Sequence, residues 1–120
     1  MSEQQDKLQV AKMVKSLFIT ASEFIRLAQM IGAGELKNTE SNRDNLKLVK
    51  TLKAYLEKLA QERPLEAKIL EFRYIDLMSV EETAERVGYK KTFIYVKQRQ
   101  AIEYLALRFF TNVAPKWTSP

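Results

Sequence analysis

Apolar side chains recur along this chain at the spacing of helices rather than strands. Between residues 10 and 31 they return every three or four positions and cover nearly half of a helical wheel, leaving Ile19 and Met30 on the other side. This apolar surface is wider than one neighbouring helix covers, so the first helix is predicted to contact two neighbours. The second neighbour is either another helix of the chain or a helix of a second copy.

A polar segment and a second apolar series follow. Residues Glu35–Asp44 lack helical spacing and are predicted to form a loop. The next apolar positions are three or four residues apart, as in a short helical seam, and they are Leu46, Val49, Leu52, Leu56 and Leu59. The first two helices are therefore predicted to pack as a hairpin.

Local signals divide the next part of the chain. Pro64 suits the first turn of a third helix, where its missing N–H is not needed, and this helix is predicted to end near Met78. Ser79 and Glu82 have the spacing of a capping box, which begins a short fourth helix. Gly88 is the residue type that ends a helix in the left-handed conformation.

A fifth helix is predicted from Lys91 to about Phe110. The segment Phe93–Val96 is β-branched and aromatic, which favours a strand. The helical period nevertheless continues past this segment, and no second strand is available for pairing. The inward positions of the fifth helix are Ile94, Gln98, Ala101 and Leu105.

These elements predict an all-α protein with three parts. Residues 1–63 are expected to form an N-terminal helical hairpin used for packing and oligomerisation. Residues 64–113 are expected to form a three-helix unit, and residues 114–120 a short tail. A length of 120 residues, 46% of them hydrophobic, suits one globular domain or two very small ones.

The amino-acid composition excludes most kinds of catalytic site. The chain contains no Cys and no His, which excludes disulfides, zinc sites with these ligands, thiolate nucleophiles and imidazole bases. Three Gly residues cannot build a phosphate-cradling loop, and Glu81 and Glu82 point in different directions on a helix. We therefore predict a protein that is not an enzyme and that uses no cofactor and no metal ion.

The sequence gives no sign of export or of membrane insertion. The N-terminal residues lack the basic start and apolar core of a secretory signal. The most apolar stretch, from Met13 to Ile31, contains Lys15, Glu23 and Arg26, each of which is costly at the centre of a bilayer. We expect a cytoplasmic protein that has no membrane partner.

The last helices meet the requirements of a helix-turn-helix. A short capped helix contains the small residue Ala84, Gly88 allows a tight turn, and a longer helix with an inward apolar row follows. Val87 and Tyr89 are expected to fill the space beneath this corner. Residues 64–89 carry three basic and six acidic side chains, a net charge of −3, whereas residues 90–120 carry six basic and one acidic, a net charge of +5.

Positive charge thus coincides with the helix that would enter a major groove, where it favours binding through phosphate neutralisation and counterion release. Arg99 suits a guanine edge, Gln100 an adenine, and Phe93 or Val96 a thymine methyl group. Base and sugar contacts are predicted for Thr92, Phe93, Tyr95, Val96, Arg99 and Gln100. Phosphate contacts are predicted for Lys90, Lys91 and Lys97. Alternatively, Phe93, Tyr95 and Val96 are core residues packed on the N-terminal helices, or a protein-binding patch.

The stretch from Leu65 to Leu105 resembles the C-terminal helix-turn-helix of bacterial sigma factors. The resemblance is carried by RYIDLMS (Arg73–Ser79), EETAERVGY (Glu81–Tyr89), Ile94, Ala101 and Leu105. Thr83 and Gln98 stand where that pattern usually has aliphatic residues. A chain of this size with a preceding helical hairpin is also similar to small phage regulators of the ArpU and RinA kind. This resemblance implies control of phage or prophage transcription through DNA binding.

Three hypotheses follow for function. The first is a sequence-specific transcriptional regulator that binds double-stranded DNA as a dimer formed through its N-terminal helices. The second is an interaction protein that binds RNA polymerase or another protein with its apolar surfaces. The third is a phage DNA-packaging subunit of the small-terminase kind, which would assemble into rings.

Overall fold

Every regular element is helical in the part of the chain that the computed structural model describes, which is residues 3–32 and 35–110, with side chains from residue 7 onward. The all-α prediction is therefore confirmed. The α-helices are α1 (Glu3–Ile31), α2 (Glu40–Glu62), α3 (Pro64–Leu70), α4 (Val80–Val87) and α5 (Lys91–Leu105). A π-helical turn extends α3 over Glu71–Ile75, and another extends α5 over Ala106–Phe110. The tail predicted at residues 114–120 lies outside the described residues.

Helix α2 begins earlier than its apolar series indicates. The Thr39 side chain caps the helix by accepting a hydrogen bond from the Asn42 N–H at 3.1 Å. The Asn42 side chain in turn donates to the Lys37 carbonyl at 2.8 Å. The predicted loop through Asp44 was therefore wrong from Glu40 onward, because a polar first turn can satisfy its own backbone groups.

The third helix, which comprises α3 and its π-helical turn, ends sooner than predicted. The π-helical turn closes with the Asp76 N–H donating to the Glu71 carbonyl at 2.9 Å. Leu77 then has a φ of 58°, in the left-handed region, which a helix cannot pass through. Arg73 holds this turn by donating from Nη1 to the Met78 carbonyl at 2.7 Å. The predicted helix end near Met78 was wrong for this reason.

The main core joins residues from both sides of Pro64. Val14, Phe18 and Ala21 of α1 are buried together with Leu59 of α2 and Leu105 of α5. Further members come from all of these helices and from α3 with its π-helical turn: Val10, Leu52, Leu56, Ala67, Leu70, Tyr74, Ile75, Ala101, Ile102, Ala106 and Phe110. The predicted hairpin residues thus share one core with α3 and α5.

The exposed residues of α1 agree with part of the sequence pattern. Ile19 and Met30 are exposed, as predicted. Leu27 and Ile31 belong to the apolar half of the wheel but are also exposed in the described chain. The end of α1 therefore presents apolar side chains that no described element covers.

A second, smaller core fixes the corner between α4 and α5. It consists of Ile69 from α3, Val80 and Ala84 from α4, and Ile94 from α5, with Ile69 and Ile94 fully buried. Ala84 and Ile94 confirm the inward positions read from the sequence. Since Ile94 packs against two other helices, it sets the orientation of the first half of α5.

Candidate nucleic-acid interface

The start and end of α4 are fixed by local hydrogen bonds. The Ser79 hydroxyl accepts from the Glu82 N–H, and the Glu82 carboxylate accepts from the Ser79 N–H, both at 3.0 Å. Gly88 ends the helix with a φ of 80°, and its N–H donates to the Ala84 carbonyl at 2.9 Å. The capping box and the glycine cap are both confirmed. The hydrogen bond from the Ser79 N–H lowers the pKa of Glu82 below its ordinary value.

This capping box predicts a loss of stability in acid. Because the folded pKa of Glu82 is depressed, its contribution is complete above the unfolded pKa and disappears as the pH falls through the folded one. Glu82→Gln keeps a side-chain acceptor at this position but does not titrate. We expect the stability difference between the wild type and Glu82→Gln to narrow as the pH is lowered, as measured by urea unfolding over the acid range.

Two further variants check this assignment. Ser79→Ala removes the hydroxyl half of the cap and is expected to cost about 1 kcal/mol at neutral pH. Glu85→Gln changes an exposed carboxylate of the same helix and should leave the acid dependence of unfolding as in the wild type. If Glu82→Gln also follows the acid dependence of the wild type, the Glu82 carboxylate is not part of the cap in solution.

Cations occupy the N-terminus of α5, where a helix favours anions. Lys90 is the N-cap residue and makes no side-chain capping bond, and the first turn has no acidic residue. Lys91 forms an exposed ion pair with Glu81, with 3.7 Å between Nζ and Oε2. The positive end of the helix dipole disfavours both lysines, so this turn lacks the complement that an anion would supply.

The outward face of α5 is open along most of its first three turns. Thr92, Tyr95, Arg99 and Gln100 are exposed, Tyr95 at 55%. Val96 is half-buried. Lys90 and Lys91 are exposed at the start of the same helix. Seven of the predicted contact residues therefore lie at the start of α5 or on its outward side, and they form what is here called the α5 face.

The remaining two predicted contact residues face towards α3 and α4. Phe93 is half-buried against the second core and stacks on Tyr89, with 4.1 Å between ring centroids. Tyr89 itself is 48% exposed, so its predicted place beneath the corner was wrong. It covers the outer side of Phe93 instead, because the left-handed Gly88 directs the chain away from the core.

Lys97 is held near a buried carboxylate. Its Nζ lies 4.0 Å from Glu66 Oε1, and 5.6 Å from the centre of the Phe93 ring. The same Glu66 oxygen accepts from Arg63 Nη1 at 3.1 Å. Glu66 is only 5% exposed, and its Oε2 has no hydrogen-bond partner among the described residues. Its negative charge offsets part of the positive charge of Lys97.

A polar clamp orients the middle of α5. Arg73 Nε donates to Gln98 Oε1 at 2.8 Å, and Gln98 Nε2 donates to the Tyr74 hydroxyl at 3.2 Å. Ser22 of α1 donates to the Tyr74 carbonyl at 2.9 Å. Burial raises the pKa of the Tyr74 hydroxyl. An aliphatic residue at position 98 could not make these bonds, which gives the departure at Gln98 a structural role.

Sequence reasoning missed two lysines beside the α5 face. Lys12 and Lys15 of α1 line a shallow depression of about 130 Å³ together with Arg99 of α5. None of these three cations forms an ion pair with any side chain that the structure describes, whereas Lys91 and Lys97 each lie near a carboxylate. Lysines three residues apart on the polar side of α1 are visible in the sequence, but nothing in it links them to a helix 80 residues later.

The described residues offer neither a metal site nor a membrane span. They contain no group of His, Cys, Asp or Glu side chains able to hold a metal ion. None of their helices is long and apolar enough to cross a membrane. No protein-family model matches the chain, and no curated protein or solved structure is significantly similar to it.

Proposed function

We propose that this protein is a sequence-specific DNA-binding regulator of transcription, of phage or prophage origin. In this proposal α4 and α5 form a helix-turn-helix, and α5 docks in the major groove with the α5 face towards the bases. The sigma-factor resemblance of residues 65–105 supports the choice of DNA as the partner. The protein acts through binding and performs no catalysis.

The observation that carries the proposal is the contrast between the two sides of α5. Ile94, Ala101 and Leu105 are completely buried, while the opposite side presents exposed side chains able to read base edges. Arg99 pairs with a guanine, and Gln100 with an adenine, through two hydrogen bonds each. Thr92, Tyr95 and Val96 contact bases and sugars, whereas Phe93 packs between the second core and Tyr89 and supports the start of α5.

Phosphate contacts fix the register of α5 in the groove. Lys90 and Lys91 stand at an uncapped helix N-terminus without acidic neighbours in its first turn, and a phosphate there relieves the repulsion between the dipole and the lysines. Lys97 contributes less, because Glu66 already neutralises part of its charge. Arg99 is unpaired among the described side chains and therefore acts at full charge.

The proposed regulator is a dimer formed through the N-terminal helices. The support is the group of exposed apolar side chains at the end of α1, namely Leu27, Met30 and Ile31. Burying them against a second copy would remove apolar area from water. Dimeric helix-turn-helix proteins bind two half-sites about 34 Å apart, so a two-fold symmetric operator is expected.

The test of DNA binding is charge reversal on the α5 face. The logarithm of the affinity of the wild type for duplex DNA should fall linearly with the logarithm of salt concentration. Lys91→Glu combined with Arg99→Glu should weaken binding by about 100-fold at 0.1 M salt, the scale of losing one phosphate contact and one base contact and adding repulsion. Fluorescence anisotropy on fragments recovered by the wild type from a genomic library measures both effects.

The matched control reverses two other lysines. Lys47 and Lys50 are exposed residues of α2 and line no part of the depression beside α5. Reversing both changes the net charge by the same amount, so a similar loss of affinity would mean that only overall charge matters. The proposal is wrong if the wild type binds no DNA more tightly than the Lys91→Glu, Arg99→Glu variant does.

Exposed aromatic rings favour a second candidate function, the binding of RNA polymerase or another protein. Tyr89 and Phe93 form a stacked aromatic pair beside the α5 face, and Tyr95 belongs to that face, with Tyr89 and Tyr95 about half exposed. Aromatic side chains are enriched in protein interfaces. Co-purification of a partner that survives high salt and is lost in Phe93→Ala would support this candidate. A complex with DNA alone, dissolved by salt, would exclude it.

A further inference from the structure

The depression between α1 and α5 has the features of an anion site. Lys12 and Lys15 approach it from α1 and Arg99 from α5, while Leu8 and Ile102 contribute apolar surface. With Glu103 also in the lining, the four charged side chains carry a net charge of +2, which attracts an anion.

We propose that Lys12 and Lys15 bind a phosphate of the DNA backbone that flanks the base contact of Arg99. This inference rests on the proposed function, since it assigns α1 a place on the same duplex as α5. Lys12 and Lys15 thus contact the backbone beside the groove, while Arg99 contacts the base edges.

The ion pairs of the surrounding cations support this assignment. Several cations near α5 are already engaged, including Lys91 with Glu81, Lys97 with Glu66 and Arg108 with Glu62. Lys12, Lys15 and Arg99 have no such partner among the described side chains. A polyanion is therefore attracted more strongly to this depression than to the paired cations.

The depression lies at the edge of the α5 face, because the two share Arg99. Arg99 belongs both to the lining of the depression and to the exposed side of α5 that is proposed to enter the groove. A major groove is about 12 Å wide and is bordered by phosphates, so an element beside the inserted helix meets the backbone. Helix α1 occupies that place next to α5.

One acidic residue in the depression weakens its attraction for anions. Glu103 lines the same depression and is exposed. Its carboxylate repels a phosphate, so Glu103→Gln should tighten DNA binding while the Lys12→Ala, Lys15→Ala variant weakens it. Opposite effects from two changes in one depression would not arise from a general loss of structure.

The experiment measures binding of a fluorescein-labelled 20-base-pair duplex across a range of salt concentrations. The Lys12→Ala, Lys15→Ala variant should bind about threefold to tenfold more weakly at 50 mM salt, the scale of one or two exposed charge contacts. Its salt dependence should be shallower by about 1 in the logarithmic slope, as expected for one lost phosphate contact. The loss should be the same for duplexes of different sequence, because a phosphate contact carries no sequence information.

Lys47→Ala combined with Lys50→Ala is the matched control, because it removes two exposed lysines with the same spacing from α2. Equal affinities and slopes for the two double variants would overturn this inference and leave the proposed function standing. A loss confined to one duplex sequence would also overturn it, since it indicates a base contact. Absence of duplex binding by the wild type would overturn both proposals.

Discussion

Replacing Phe18 with alanine is expected to lower the free energy of unfolding by about 3 to 5 kcal/mol, the usual cost of truncating a buried phenylalanine. Phe18 is completely buried in the main core, where its ring packs on Tyr74 with 5.4 Å between centroids. A typical domain is stable by about 5 to 15 kcal/mol, so the loss is a large share of the total. Urea unfolding followed by circular dichroism measures it.

The neighbouring residue provides the control. Ile19 is 42% exposed, and Ile19→Ala should change the free energy of unfolding by no more than about 0.5 kcal/mol. Because the main core joins α1 and α2 to α3 and α5, Phe18→Ala should still unfold in one transition. Two separate transitions would mean that residues 1–63 and residues 64–113 are independent folding units after all.

A graded series at Ile94 should give the second large effect. Ile94→Ala is expected to cost about 2 to 5 kcal/mol and Ile94→Val about 0.5 to 1.5 kcal/mol, as the cavity left behind grows. Ile94 is fully buried in the second core, where it contacts α3 and α4. The contacts of Ile94 hold α4 against α5. The urea concentration at the midpoint of unfolding should therefore fall further as more of the side chain is removed.

Tyr95 is the matched control for this series. It follows Ile94 on α5 but is 55% exposed, so Tyr95→Ala should leave stability within about 0.5 kcal/mol of the wild type. The proposed DNA contact of Tyr95 predicts weaker duplex binding by the same variant, as measured by fluorescence anisotropy. Equal losses of stability in Ile94→Ala and Tyr95→Ala would contradict the orientation of α5 described above.

Elements governed by local chemistry were predictable from the sequence. The capping box of Ser79 and the left-handed Gly88 fixed both ends of α4, since each depends on neighbours within a few residues. The helical period of α5 outweighed the strand propensity of Phe93–Val96, because the buried row extends from Ile94 to Leu105. Where signals from spacing and capping agreed, the sequence was sufficient.

The errors arose where a backbone detail had no strong sequence signal. The polar first turn of α2 contains no apolar residue to extend the periodic series, although Thr39 caps it. The turn after α3 depends on Leu77 in a left-handed conformation, which few leucines adopt. Tyr89 follows Gly88, whose positive φ changes the direction of the chain and leaves the ring outside.

The surroundings of the candidate site were harder to predict than its residues. A helical wheel gave the exposed side of α5, but it could not show that Glu66 offsets the charge of Lys97 or that Lys12 and Lys15 lie near Arg99. Those relations join helices that are far apart in the chain. Long-range packing decides them, and it leaves no periodic trace in a single sequence.

The two π-helical turns affect how this chain should be aligned with others. Each turn accommodates one residue more than an α-helical turn. A homologue with uninterrupted α-helices would be one residue shorter at Glu71–Ile75 or Ala106–Phe110. An ungapped alignment across either turn would pair core positions with surface ones, so a single-residue gap belongs there.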